Sequence, residues 1–352
     1  MFHFLIKKII NSFFVLLGVI AIVFFLFFVI LPADPARLTM GQRSDAKSIA
    51  NIRKELYLDK PLPQQFLLYL NDLSPIAIHE KSDETREKYN YTTLISVSDK
   101  NNLVLKSPYL RRSYQTKKEV NEMLLDAFPG TLILASLSIL IASIIGIFLG
   151  TIAALKQNTW LDTSVIFSSI LGISVPSFFA GILMAYIFGF LLKDYTGLSI
   201  VSPMWDYDPF TGRHFVLKSL ILPVLTLSIR PIAIIVQITR SSMLDVLNQD
   251  YIRTAYAKGL TKKMVVWRHA LRNALNPVIT SISGWFAELL AGSFFIEYIF
   301  GWKGLGKITV DALNKFDFPV VMGSVLFTAL IFIIMNILVD ILYTVVDPRI
   351  KM

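Results

Sequence analysis

Residues 250–277 read "DYIRTAYAKGLTKKMVVWRHALRNALNP", a basic, amphipathic stretch broken once by a glycine and flanked on both sides by long apolar segments. Leu244, Leu247, Tyr251 and Ala255 recur at helical spacing, which predicts a helix ending near Lys258, where a cation suits the dipole. Gly259 stands where a helix commonly ends in a left-handed residue, a conformation glycine adopts at little cost. Thr261 is placed to cap a second helix whose apolar stripe would be Met264, Trp267, Leu271 and Leu275. Asn276–Pro277 should end that helix, because the residue before a proline avoids helical angles. The expected product is a rigid helix–glycine–helix corner. It is either a pair of interfacial helices on anionic membrane lipid or a knob shaped to fit another protein, and the central glycine favours the knob.

The rest of the chain is membrane-like. Of its 352 residues 54% are hydrophobic and only 17% charged, with a mean hydropathy of +0.60. So little charge cannot cover a water-soluble body of this length, and a polytopic membrane protein is expected. The net charge of +9 then carries no implication of nucleic acid; the informative question is which loops hold it. With no cysteine, disulfides, thiolate catalysis and Cys-type metal sites are excluded. His3, His79, His214 and His269 show neither metal-ligand nor catalytic spacing, so no cofactor is expected.

Six stretches meet the length of about 20 apolar residues that a crossing helix needs: 9–31, 128–155, 161–192, 217–238, 278–300 and 319–346. The third is longer than necessary and carries Pro176, so a kink or tilt is expected there. The first follows Lys7 and Lys8 as a signal segment would, but its apolar run is too long and no small-x-small site follows. It is therefore read as a span. The 241–276 loop holds Arg253, Lys258, Lys262, Lys263, Arg268 and Arg272 against Asp245 and Asp250. Lys7, Lys8, Arg349 and Lys351 give both ends the same sign. An even number of spans puts both termini beside this loop, and the positive-inside rule makes that side cytoplasmic.

Three regions follow: an N-terminal segment and first span (1–31), an extracytoplasmic loop domain (32–127), and a core of five spans (128–352). In the loop domain, 45–57 reads as a helix with Ser44 as its cap and Ile49, Ile52 and Leu56 on one face. Pro61 and Pro63 interrupt it, and 64–73 offers Phe66, Leu70 and Leu73 as a second stripe suited to the membrane surface. "TTLISVSDKNNLVLK" (92–106) reads as a hairpin turning at 98–102.

"GWKGLGKI" (301–308) nearly spells a phosphate-binding loop. Ile308 occupies the position where a hydroxyl would hold magnesium, and a span rather than a soluble strand precedes it. The orientation also puts it outside, so its glycines are read as a turn. The chain itself is not expected to be an enzyme.

Several stretches together resemble ABC importer permeases of the dipeptide/oligopeptide/nickel branch. Residues 250–277 resemble the EAA loop of that family. "LPADPARLTMGQRSDAKSIANIRKELYLDKPLPQQFLLYL" (31–70) is similar to the segment after its first span. "FPGTLILASLSILIASIIGIFLGTIAALKQNTWLD" (128–162), "GISVPSFFAGIL" (172–183) and "TRSSMLDVLNQDYIRTAYAKGL" (239–260) are similar to its core. "FFIEYIFGWKGLGKITVDALNKFDFPVVMG" (294–323) and "NILVDILYTVVDPRI" (336–350) resemble its last two spans. Residues 75–108, with the hairpin, look like an insertion. Two departures stand out: the loop's namesake glutamate falls at Arg253 and its first alanine at Thr254, and a later proline position is Arg272.

The resemblance implies an all-α type I importer permease with six transmembrane helices, in the bacterial cytoplasmic (inner) membrane. It implies that the corner sits in a groove of a cytoplasmic ABC ATPase, two of which serve the transporter, and swings the adjoining spans. Arg253, Thr254, Ala255, Gly259, Leu260, Arg268 and Leu271 would carry that coupling, with Ala255 and Gly259 allowing close docking. A sister permease subunit and an extracytoplasmic substrate-binding protein are the other implied partners, and peptide the implied substrate, with nickel, nickel chelates or glycosidic compounds as alternatives. Arg230 and Glu288 lie about 15 Å into the bilayer on the spans flanking the corner. They either pair with each other or line the path and meet the two ends of a zwitterionic peptide. Asp340, one turn from Asn336, is the third charged candidate for the path, while Glu297 and Asp340 both match family blocks near span ends that suit packing or the gate. Other classes fit less well: a secondary transporter should show inverted repeats, and a membrane-anchored receptor leaves five spans without purpose.

Overall fold

A computed structural model describes residues 2–30, 46–201, 203–208 and 212–346. Ser44, Asp45, Arg349 and Lys351 lie outside the described residues. The chain divides into two compact units, one of residues 1–8, 127–310 and 328–352, the other of residues 9–126 and 311–327.

Helices dominate. In chain order they are α1 (Phe2–Phe25), α2 (Ala46–Glu55), α3 (Leu62–Leu73), α4 (Asp83–Tyr89) and α5 (Val120–Leu155). There follow α6 (Trp160–Ser174), α7 (Ser177–Tyr186), α8 (Lys193–Thr196), α9 (Ile221–Leu247) and α10 (Asp250–Ala257). The last are α11 (Lys262–Met264), α12 (Leu271–Gly292), α13 (Phe294–Ile299), α14 (Leu305–Asn314) and α15 (Phe318–Val346).

Among the described residues four helical stretches are long and apolar enough to cross a membrane: Ile6–Ile30, Val120–Leu155, Leu217–Leu247 and Phe318–Ile341. A fifth is counted if Trp160–Ser174 and Ser177–Leu191 form one broken span, bent by 103°. Pro176 stands at that break and Val175 before it is extended, so the expected kink is a sharp corner. The remaining expected span, 278–300, differs. Its residues divide between α12 and α13 at Ser293, and Thr280, Ser281, Ser283, Gly284 and Glu288 make α12 less apolar than its neighbours. Helix α12 also runs straight through Pro277, which sequence reasoning took as an end. A proline inside a membrane helix is tolerated where neighbouring groups satisfy the carbonyl it leaves free.

The first unit is built on α9, which packs against α12 and α6. Ser138 on α5 and Ser228 on α9 bond across the helices, Ser138 Oγ to the Val224 carbonyl (3.2 Å) and Ser228 Oγ to the Ser138 carbonyl (3.0 Å). Polar cross-links of this sort replace the hydrophobic drive that is missing between helices in lipid. Lys8 and Asp340 form an ion pair between α1 and α15 in the same unit.

The second unit contains the expected hairpin, β2 (Thr92–Ser96) with β3 (Asn101–Leu105), and a strand that was not foreseen. This is β1 (Ile76–Glu80), which pairs antiparallel with β3, giving the order β1-β3-β2. Ala77, His79, Asn102 and Val104 fill the buried face, while Ile76, Ile78 and Leu105 stand on the exposed one. A second short hairpin, β4 (Trp205–Asp208) with β5 (Gly212–Phe215), belongs to the first unit. The second unit's core joins Val23 and Phe24 of α1 to Tyr69, Met322 and Leu326. At its polar centre Asp72 accepts from the Tyr89 hydroxyl (2.8 Å) and the Tyr57 hydroxyl (3.1 Å). Arg111 lies 3.7 Å from the same carboxylate, enclosed by the rings of Phe28, Tyr57 and Tyr69. Burial, assisted by the nearby Lys106 ammonium, pulls His79 down from 6.5 to about 4, so it is neutral where it stacks on Tyr89.

Candidate functional site: the corner and the polar helix face

Helix α9 ends at Asn248, Gln249 is extended, and α10 starts with Asp250, an acid that suits the positive end of its dipole. At the other end Gly259 has a φ of +78°. The Gly259 N–H donates to the Tyr256 carbonyl (2.9 Å) and the Leu260 N–H to the Ala255 carbonyl (3.4 Å). That pair of bonds is the Schellman closure, and Leu260 completes it by packing in the same apolar cluster as Ala255. Thr261 then accepts from the Met264 N–H (3.4 Å), capping the next helix as its sequence suggested.

The corner is solid inside. Met243, Ile252, Ala255, Val265, Val266, Ala270, Leu271 and Ala274 bury together with Ala154 at the end of α5. Of the seven residues singled out for coupling, Ala255, Leu260 and Leu271 therefore face the corner's own interior. Arg253, Thr254, Gly259 and Arg268 are exposed, and Arg253 reaches Asp250 only at 3.5 Å on the open surface. Gly259 has open space around the position of a Cβ.

Three residues of the two apolar stripes turn out to be outward, Tyr251 of the first and Met264 and Trp267 of the second. Met264 and Trp267 are 43% and 49% exposed, joining Tyr251 and Tyr256 in an aromatic, basic outer face. In the second stripe a π-helical turn at Val265–Ala270 is the cause: its extra residue shifts the phase, so Val265, Val266 and Ala270 point inward instead. A stripe drawn at a constant 3.6-residue period cannot contain that shift.

Beyond the corner, Arg230 and Glu288 do not pair. Both are exposed, and the Arg230 guanidinium lies over the Trp285 ring at 5.7 Å. Asn276, Thr280, Gly284 and Glu288 recur every four residues and are all exposed, so α12 presents a continuous polar face. Asp340 sits apart from these two, bound to Lys8.

The glycine-rich segment after α13 has a different use. Glu297 is fully buried and accepts from the Thr131 hydroxyl (2.7 Å), the Ser293 hydroxyl, the Gly306 N–H (2.7 Å) and the Lys307 N–H (3.2 Å). The backbone donors at the start of α14, which resembled a phosphate cradle, thus hold a carboxylate of the chain itself. Sequence reading had placed Glu297 in packing or gating; the signal for its partners was the Gly-x-Gly that lets backbone come so close.

A family described as the binding-protein-dependent transport system inner membrane component matches residues 146–352, and its N-terminal counterpart matches residues 1–135. The chain belongs to this family. A putative peptide transport system permease of Brucella abortus is 36% identical over 335 residues, covering 95% of this chain and 94% of that protein. The dipeptide transport system permease DppB of Bacillus subtilis is 34% identical over 347 residues, covering 98% of each. An inward-facing structure of the MetNI methionine ABC transporter is similar at a TM-score of 0.49 and 14% identity, covering 64% of this chain and 97% of that chain. As an inner membrane component of a binding-protein-dependent importer, the permease works with an ATPase and with a substrate-binding protein.

Proposed function

We propose that this permease carries di- and oligopeptides through the membrane and that its corner is the lever an ATPase moves. The observation that carries the reading is the corner: a Schellman-closed turn over a packed interior, with Arg253, Thr254, Gly259 and Arg268 left outward. A lever must be stiff inside and open outside, and this one leads from α9 through α10, the Gly259 turn and α11 into α12, packed on one apolar cluster. Force applied to its outer face therefore reaches both helices together.

Those are the helices that carry Arg230, Trp285 and Glu288. A guanidinium over an indole beside a carboxylate meets the two ends of a zwitterionic peptide, and the peptide permeases among the relatives support that substrate. With one corner per chain, a sister permease completes the pore and two ATPases drive it. Both termini and the corner lie in the cytoplasm in this reading, and the loop domain of residues 32–127 lies outside.

The test is uptake into proteoliposomes holding this permease, its sister subunit and the ATPases, with the binding protein and labelled dialanine outside. ATP-dependent accumulation is expected, lost on Gly259→Trp and reduced at least about tenfold by Arg230→Gln or Glu288→Gln. Accumulation that needs no ATP, or that Gly259→Trp leaves intact, contradicts the proposal.

A further inference from the structure

The second unit contains a cleft that passage through the membrane helices does not use. Its volume is about 720 Å³, within the range of about 300–1,000 Å³ typical of small-molecule sites. Residues of α2, of the turn after it, of α4 and of the 109–112 segment line it.

Its aromatic part is anchored from below. The hydroxyl of Tyr57 and the backbone N–H of Tyr109 both donate to Asp72, to its carboxylate at 3.1 Å and its carbonyl at 2.9 Å. Tyr57 has a φ of +61°, and Arg111, next to the lining residue Arg112, has +68°. Bulky residues adopt that conformation only where the surroundings force it, and such strain gathers at ligand sites. Burial first, with Asp72 adding to it, pushes the Tyr57 hydroxyl up to about 12, so the ring offered to the cleft is neutral.

The charges divide into committed and open ones. Lys60 pairs with Asp59 (3.4 Å), Arg112 with Glu119 (3.2 Å), and Lys88 lies over the rings of Tyr89 and Tyr109. Lys54, Glu55, Glu84 and Glu87 also line the cleft, and among the described residues they have no ion pair. Three open carboxylates and one ammonium beside two neutral rings suit a ligand with a primary ammonium near a carboxylate.

We propose that this cleft binds a short zwitterionic peptide, its free ammonium group held by Glu84 and Glu87 and its carboxylate by Lys54. The zwitterion follows from the cleft; that it is a peptide rests on the transport reading above.

The test uses the full chain in lipid nanodiscs and equilibrium dialysis of labelled dialanine. Saturable binding is expected, at least about tenfold weaker for N-acetyl-dialanine and for the Glu84→Gln, Glu87→Gln double variant, whose melting temperature should not change. No binding by the native chain, or native affinity in the double variant, overturns the cleft. Binding lost in Glu288→Gln but kept in the double variant moves the peptide to the α12 face, overturning the cleft while leaving the transport reading intact. Cleft binding in a permease whose assembly shows no ATP-driven peptide uptake does the reverse.

Discussion

Arg240 grips Asp162 with two parallel hydrogen bonds, Nε to Oδ1 at 2.5 Å and Nη2 to Oδ2 at 2.7 Å. The same carboxylate accepts from the Asn158 N–H (3.0 Å) in the turn between α5 and α6. One side chain therefore ties α9, just before the corner, to α6 and to the turn that leads into it. Asp162 is buried and Arg240 is a quarter exposed, so solvent weakens the pair only in part. Asp162→Asn and Arg240→Gln should each cost about 1–2 kcal/mol, and the double variant no more than the worse single one. Arg240→Lys should rescue little, because an ammonium cannot reproduce the two-pronged contact. Unfolding in mixed detergent micelles measures all four.

Gly259 separates conformation from docking. Its φ of +78° with open space around it means that Gly259→Ala strains the turn without a clash, costing about 1 kcal/mol, and Gly259→Asn costs less. Gly259→Trp should add little further loss of stability. It should nevertheless remove the ATPase from the purified complex, which affinity purification followed by gel analysis reads directly.

The two halves of the corner were not equally legible. Gly259, Thr261 and the kink at Pro176 were read correctly because each acts locally, through a backbone angle or a single hydrogen bond. The stripe through Met264 and Trp267 failed because a π turn inserts a residue into the period, and nothing in the side chains of 265–270 announces it. Strand β1 was missed because five residues, Ile76–Glu80, gain strand character only when β3 lies beside them. The Arg240–Asp162 pair was not legible, since its two residues stand 78 positions apart in the chain. Arg230 and Glu288 stand out in the sequence as charges on apolar stretches, but whether they meet depends on how two helices are rotated, which spacing alone does not contain.

Glu297 supplies a stability prediction. A Cβ on Gly306 would come within 2.3 Å of the Phe294 Cα, an obstacle of backbone that cannot turn aside. Gly306→Ala should therefore sharply reduce the yield of monodisperse protein. In Glu297→Gln the amide oxygen keeps the Gly306 and Lys307 N–H groups while the NH2 replaces the acceptor of the Thr131 and Ser293 hydroxyls, which should cost about 1 kcal/mol. Size-exclusion profiles and melting temperatures in detergent distinguish the two.

The second unit should weaken in acid. His79 takes its proton near pH 4 when folded, against 6.5 for the free side chain, so between these values the unfolded chain holds more protons. Stability contributed here is complete above about 6.5 and falls as pH drops towards 4. Replacing His79 with Phe keeps the stacking on Tyr89 and removes this slope. Hydrogen exchange of the β1–β3 amides at pH 7.5 and pH 5, corrected for intrinsic rates, should show the difference in the native chain and not in the variant.

Since the chain has no cysteine, a single reactive site can be placed on the corner without background. Lys262→Cys, carrying a maleimide photo-cross-linker in the assembled transporter, tests the central claim most directly. The account predicts a covalent adduct between this permease and the ATPase, with a yield that changes when ATP is bound. Adducts only with lipid or with the extracytoplasmic binding protein would contradict it.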